Sequence, residues 1–283
     1  MRSSLPLFLA ALALGLLPPA AAIAGETLPE RTLRQIIDHE RTLLADAAKQ
    51  GDKLDQEAFR VQAQELCHEY ELLLHDSPNY ALAFADYGHL LYKLGMTREA
   101  VGMMLKADQI DPNIPLVKNQ IGDYLTEEGK PLEAINYFMD AIRLAPSEPL
   151  YHYQLGQLLY TDRDDFLKSG DWTREQIDDG MHKAFQRAAE LAPDRIEFTF
   201  RYAESFNDLA KPDWDGALQA WAALEEKAAT QLDRETMRLE AANVLIKQGK
   251  FASARLLLAT VAEPALAVQK QKLVAQLPAA PAK

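Results

Sequence analysis

The chain has 283 residues, of which 48% are hydrophobic and 25% charged, and a formal net charge of −12. This composition belongs to a folded chain and excludes disordered and collagen-like classes. The negative charge, with no dense basic tract to override it, argues against nucleic acid and anionic lipid as partners.

Residues 1–24 come first, with Arg2, an uncharged apolar run and the small-residue triplet Ala22-Ile23-Ala24. This order predicts a secretory leader cleaved after Ala24, and so an exported protein of the periplasm or the cell exterior. Pro18 and Pro19 argue against an unbroken spanning helix, and membrane contact is expected only if the segment is retained as an anchor. Residues 25–80 read as a helical hairpin, 30–49 and 55–76, ending on Pro78 as an atypical first repeat or cap. Cys67, the only cysteine, shares a helical stripe with Phe59, Ala63, Leu66, Tyr70 and Leu74 and is expected in the core. No intramolecular disulfide can form. His68-Glu69 starts a zinc-protease pattern, but Leu72 stands where the second His is required.

From residue 81 the chain keeps a period. Pro78, Pro112 and Pro146 stand 34 residues apart, each after an amphipathic segment. Residues 81–114 read as helix, turn at Gly95, second helix and Pro112 as a stop, and residues 115–148 repeat the pattern. Gly88 superposes on Gly122, Leu91 on Leu125, Gly95 on Gly129, Ala100 on Ala134 and Ala107 on Ala141. The small residues are expected where two antiparallel helices cross closely, with Leu91, Met104 and Phe138 filling the seam. A third unit carries Gly156, Leu159, Ala188 and Pro193; a fourth, from Ile196, carries Ala203, Ala217 and Trp221; a fifth, about 235–263, carries Ala242, Gly249, Ala254 and Leu258.

The third unit is thirteen residues longer than its neighbours, and residues 161–180 hold the excess. Thr173 with Gln176 has the form of a capping box, which starts a lengthened second helix near Arg174 and leaves an acidic loop, 161–172, whose Phe166, Leu167 and Trp172 fold back on the array. A calcium loop fails on spacing, since Phe166 and Leu167 take a ligand place and the sharp-turn glycine place. Residues 264–277 are expected to cap the last repeat through Leu266, Leu273 and Leu277, and 278–283 to fray.

The small-residue positions and the prolines resemble the tetratricopeptide repeat family over roughly residues 30–263; of the family's first-helix aromatic only Phe84 survives, with Lys118 and His152 at the equivalent places. The resemblance implies an all-α, right-handed superhelical solenoid of antiparallel helix pairs. The first helix of each pair then lines a concave surface. In that register the groove holds His89 and Tyr92; Asn119, Asp123 and Glu127; Tyr153, Gln157 and Tyr160; Phe200, Glu204, Asn207 and Asp208; and Asn243. Aromatics interleaved with amides and acids suit an extended peptide and favour a basic one. Relatives that grip the C-terminal carboxylate of heat-shock chaperones use a Lys, Arg and Asn cluster, and here Asp123, Glu127 and Tyr153 stand in that region. No nucleophile elbow, phosphate loop or dinucleotide-binding glycine cluster occurs, and the six histidines are scattered. The expectation is a non-enzymatic protein- or peptide-binding scaffold without cofactor or metal. The alternatives are a membrane-anchored scaffold of envelope assembly and an accessory subunit of an enzyme complex.

Overall fold

A computed structural model describes residues 25–278. The expected leader, 1–24, and the end of the expected tail, 279–283, lie outside the described residues. Among the described residues there are fourteen α-helices and no strand. The chain divides into two compact units, Met1–Ile121 and Gly122–Lys283.

The first unit holds α1 (Leu28–Gln50), α2 (Gln56–Asp76), α3 (Ala81–Lys93), α4 (Thr97–Ile110) and the start of α5 (Pro115–Glu127), within which the division falls. Leu33 and Ile36 on α1, Leu66 and Leu73 on α2, and Leu90 and Leu91 on α3 make one buried cluster. Tyr70 stacks on Tyr87 within it, ring centroids 5.2 Å apart. Cys67 packs half-buried against this cluster, as its stripe predicts, and burial pushes its thiol up from the ordinary value.

The second unit holds the rest of α5, α6 (Pro131–Leu144), α7 (Pro149–Thr161), α8 (Arg163–Ser169), α9 (Arg174–Leu191), α10 (Ile196–Ser205), α11 (Trp214–Lys227), α12 (Gln231–Lys247), α13 (Phe251–Ala259) and α14 (Ala267–Val274). Its core runs in patches: Phe138, Leu159, Met181 and Phe185; Ala203, Phe206, Ala217 and Trp221; and Leu239, Ala242, Leu258 and Leu273. Leu266 and Leu273 are buried in the last of these and Leu277 packs against it, so α14 and the turn before it close the core.

The chemistry of the period is visible in the turns and the seams. Gly95, Gly129 and Gly249 sit at φ 78°, 69° and 75°, a left-handed region that costs a residue with a Cβ but not glycine. Each returns its own amide to a carbonyl three residues back while the next residue reaches five back, as in Gly129 N to Thr126 O and Lys130 N to Leu125 O. In the seams, a Cβ on Gly156 would lie 2.7 Å from the Phe185 ring, one on Gly122 would lie 3.1 Å from Phe138, and one on Gly88 would lie 3.0 Å from the Ala100 carbonyl. Hydrogen in place of a side chain lets the paired helices approach that closely.

The long third unit differs from a plain acidic loop. Residues 163–169 are helical: Asp164 and Asp165 stand in the first turn of α8, and Gly170 ends it at φ 81°. Phe166 is fully buried and meets Trp172 edge-on at 5.6 Å. Thr173 and Gln176 cap α9 as their spacing predicts. Asp178, 2% exposed, ties the segment down. It accepts from Arg174 Nε at 2.7 Å and from the Ala210 amide at 3.0 Å, and pairs with Arg163 at 3.2 Å. One of the acids of the 161–180 stretch is therefore a buried clamp.

Candidate functional site

The groove candidates fall in both units. In the first, His89 is half-buried on α3 and bonds Gln120 of α5. Burial, with the Lys93 charge adding to it, lowers the imidazole to about 4, so it is neutral near pH 7. Tyr92 is exposed, whereas Asn119 is buried.

In the second unit, side chains on the first helices of successive pairs join in a ladder. Gln154 of α7 donates to both carboxylate oxygens of Asp123 on α5, at 2.9 and 2.7 Å. Arg201 of α10 donates to Gln157 Oε1 of α7 at 3.3 Å. The His89–Gln120 bond of the first unit and the Asp123–Gln154 bond both link residues 31 apart, one period less three. The Gln157–Arg201 bond spans 44, longer by the thirteen-residue excess of the third unit.

Arg201 is the hub. Its guanidinium carbon lies 4.1 Å from the centroid of the Tyr160 ring and 4.5 Å from that of Phe185, and it pairs with Asp208 at 3.3 Å and Glu204 at 3.9 Å. Such stacking of a cation on an aromatic face strengthens where water is partly excluded. Lys247 Nζ donates to Asn207 Oδ1 at 2.7 Å, placing α12 beside the turn after α10. Glu127 and Tyr160 are exposed, and Glu204 and Asn243 half-buried.

The acids of this face are held partly out of water. Burial, with the Glu127 charge adding and the Gln154 bond opposing, raises Asp123 to about 7. Burial also raises Glu204, against the pull of Arg201. Glu240 rises through burial and the charge of Glu204, moderated by Lys247 and by a bond with Asn243. A carboxylate that has already lost hydration gains more from a cation brought to it than a fully solvated one does.

Two candidates sit lower than their register suggests. Tyr153 packs edge-on to Phe185 at 5.7 Å and against Phe198 at 4.8 Å, and Phe200 meets Trp221 edge-on at 5.0 Å. Both rings are half-buried supports of the face. Gln154, Arg201 and Glu240 belong to the face and are not among the sequence candidates. The signal for them was present: each stands three residues before a candidate, at Gln157, Glu204 and Asn243, and so one helical turn along the same stripe. No group of three or more His, Cys, Asp or Glu among the described residues is placed to hold a metal ion. Among those residues no helix is long and apolar enough to cross a membrane.

Residues 117–148 match the tetratricopeptide repeat family model. No curated protein matches the chain. Among solved structures, YrrB, described as a TPR protein with an unusual peptide-binding site, superposes with TM-score 0.58 at 18% identity, covering 72% of this chain and 97% of its own. The Naa15/Naa10 structure bound to HypK-THB gives TM-score 0.56 at 16% identity over 87% of this chain, but only 33% of the chain matched there. At these identities the likeness is one of fold: all-α, built of tetratricopeptide-type helix pairs.

Proposed function

This chain is a tetratricopeptide-repeat protein, and from that premise we propose that it is an exported interaction scaffold whose second unit holds an extended, basic segment of a partner protein. The fold itself is that of a protein-interaction scaffold. The observation that carries the finer reading is the joined face of α5, α7, α10 and α12, where partly desolvated Asp123, Glu204 and Glu240 alternate with Tyr160 and side-chain amides. Rings supply area at small entropic cost, amides bond a peptide backbone, and the acids select a Lys or Arg side chain. The peptide-binding site described for YrrB supports the same use of the fold. Export rests on the order of residues 1–24.

A photocrosslinking residue at Tyr160, with a second at Leu256, exposed on α13, as control, tests the assignment in cells. A partner trapped from position 160 and not from 256 supports it; equal trapping from both contradicts it. Mass spectrometry of the native protein tests export, with Gly25 expected as the first residue and a retained Met1 as the contrary result.

A further inference from the structure

The first unit carries a cleft of about 490 Å³ between α2, α3 and α4, lined by none of the ladder side chains. Its floor is apolar, with Phe84 and Leu91 from α3, Met96 at the turn before α4 and Met103 from α4, and its rim carries Glu71 and Glu99. Met96 is 41% exposed, and thioether side chains adapt to whatever is pressed against them. Tyr87 lies under the rim and its hydroxyl donates to Glu71 Oε1 at 3.2 Å, which orients that carboxylate. An occupant of this cleft needs an apolar anchor with a cation beside it.

The end of the same chain has that chemistry. Residues 264–283 contain Lys270, Lys272 and Lys283 and no acid, although acids outnumber bases 42 to 30 in the chain as a whole. On α14, Leu273 is turned into the core while Val268 is 63% exposed. Val268 and Lys272 are four residues apart and so neighbours on one helical face. We infer that the α14 face of a second copy of this chain is the occupant of the α2–α4 cleft. The contact uses two different surfaces, so each copy can give one and receive one, and association is open-ended or closes into a ring. A patch this small makes it weak and concentration-dependent.

Sedimentation of residues 25–283 from about 1 to 500 µM, at low and at roughly 1 M salt, reads this directly, since salt screens exposed charge pairs. The average mass is expected to rise with concentration at low salt and to fall back at high salt. Glu71→Lys with Glu99→Lys in one protein, and Lys272→Glu in another, should each weaken association about tenfold, a loss of ~1.4 kcal/mol. An equimolar mixture of the two variants should associate again, because each supplies the charge the other now needs. Glu71→Lys also removes the acceptor of the Tyr87 hydroxyl, so the melting temperatures of both variants are measured to establish that they fold. A monomer at every concentration, association untouched by either variant, or a mixture that stays monomeric would overturn the inference.

Discussion

A single hydrogen atom decides the seams. Gly156→Ala places a methyl carbon 2.7 Å from the Phe185 ring, and because Phe185 is fully buried and packed by Tyr153 the ring has nowhere to go. We expect a loss of about 1–3 kcal/mol, from overpacking. Gly102, in the middle of α4, has nothing within 4 Å of where its Cβ would lie. There the same change should stabilise by about 0.5–1 kcal/mol, since alanine restricts the unfolded chain and favours the helix. Denaturant melts of the two variants check the pair; the same sign for both would refute the seam geometry. The charged residues add a pH signature. Asp123 titrates near 7 in the folded chain and near 3.8 when unfolded, so the folded state binds the extra proton between those values. Its contribution is present below the lower value and lost as pH rises through the upper one. Asp123→Asn should therefore raise the melting temperature at pH 8, and the gain should vanish near pH 4. His89 runs the other way: its stability is present above about 6.5 and is lost as pH falls towards 4.

Elements are set by period, and departures from it need an anchor. The acidic stretch after α7 is held by Asp178, which accepts from Arg174 and the Ala210 amide and forms an ion pair with Arg163. Asp178→Ala leaves the half-buried Arg163 guanidinium without its counter-charge and the Ala210 amide without its acceptor, at a cost of about 3 kcal/mol. Hydrogen exchange should then show α8 opening before the rest of its unit; uniform destabilisation without local opening would contradict the clamp. Helix pairs, turn glycines and the capping box at Thr173 were legible in the sequence because spacing alone determines them. The helicity of 163–169 was not, because seven residues give too little period to see and Phe166 becomes an anchor only once α6 and α9 surround it. For the candidate face, the helices that carry it and most of its exposed side chains were readable, since one stripe of each first helix must face outward. The register could not distinguish Tyr160, which stays exposed, from Tyr153, which is drawn down by Phe185 and Phe198. Nor could it show that Arg201 ties α10 to α7 through Gln157 and Tyr160 and to the following turn through Asp208, since that depends on how far the third unit's excess displaces α10.

On the scale of the whole molecule, a strongly acidic chain keeps several carboxylates half-dehydrated along one face of its second unit, which costs stability at neutral pH. Retaining that cost is understandable where a cation from a partner relieves it on binding. The same acidity steers basic ligands towards the surface and makes capture salt-dependent. The deciding measurement is calorimetric titration of residues 25–283 with an extended ten-residue peptide of alternating lysine and apolar residues, against a matched peptide with glutamate for lysine. Tyr160→Ala with Glu204→Gln is the control protein, both positions being on the face and outside the core. Binding of the lysine peptide alone, weakened tenfold or more in the variant and by added salt, is the predicted result. Equal binding of both peptides, or affinity unchanged in a variant that still folds, would contradict the assignment of this face.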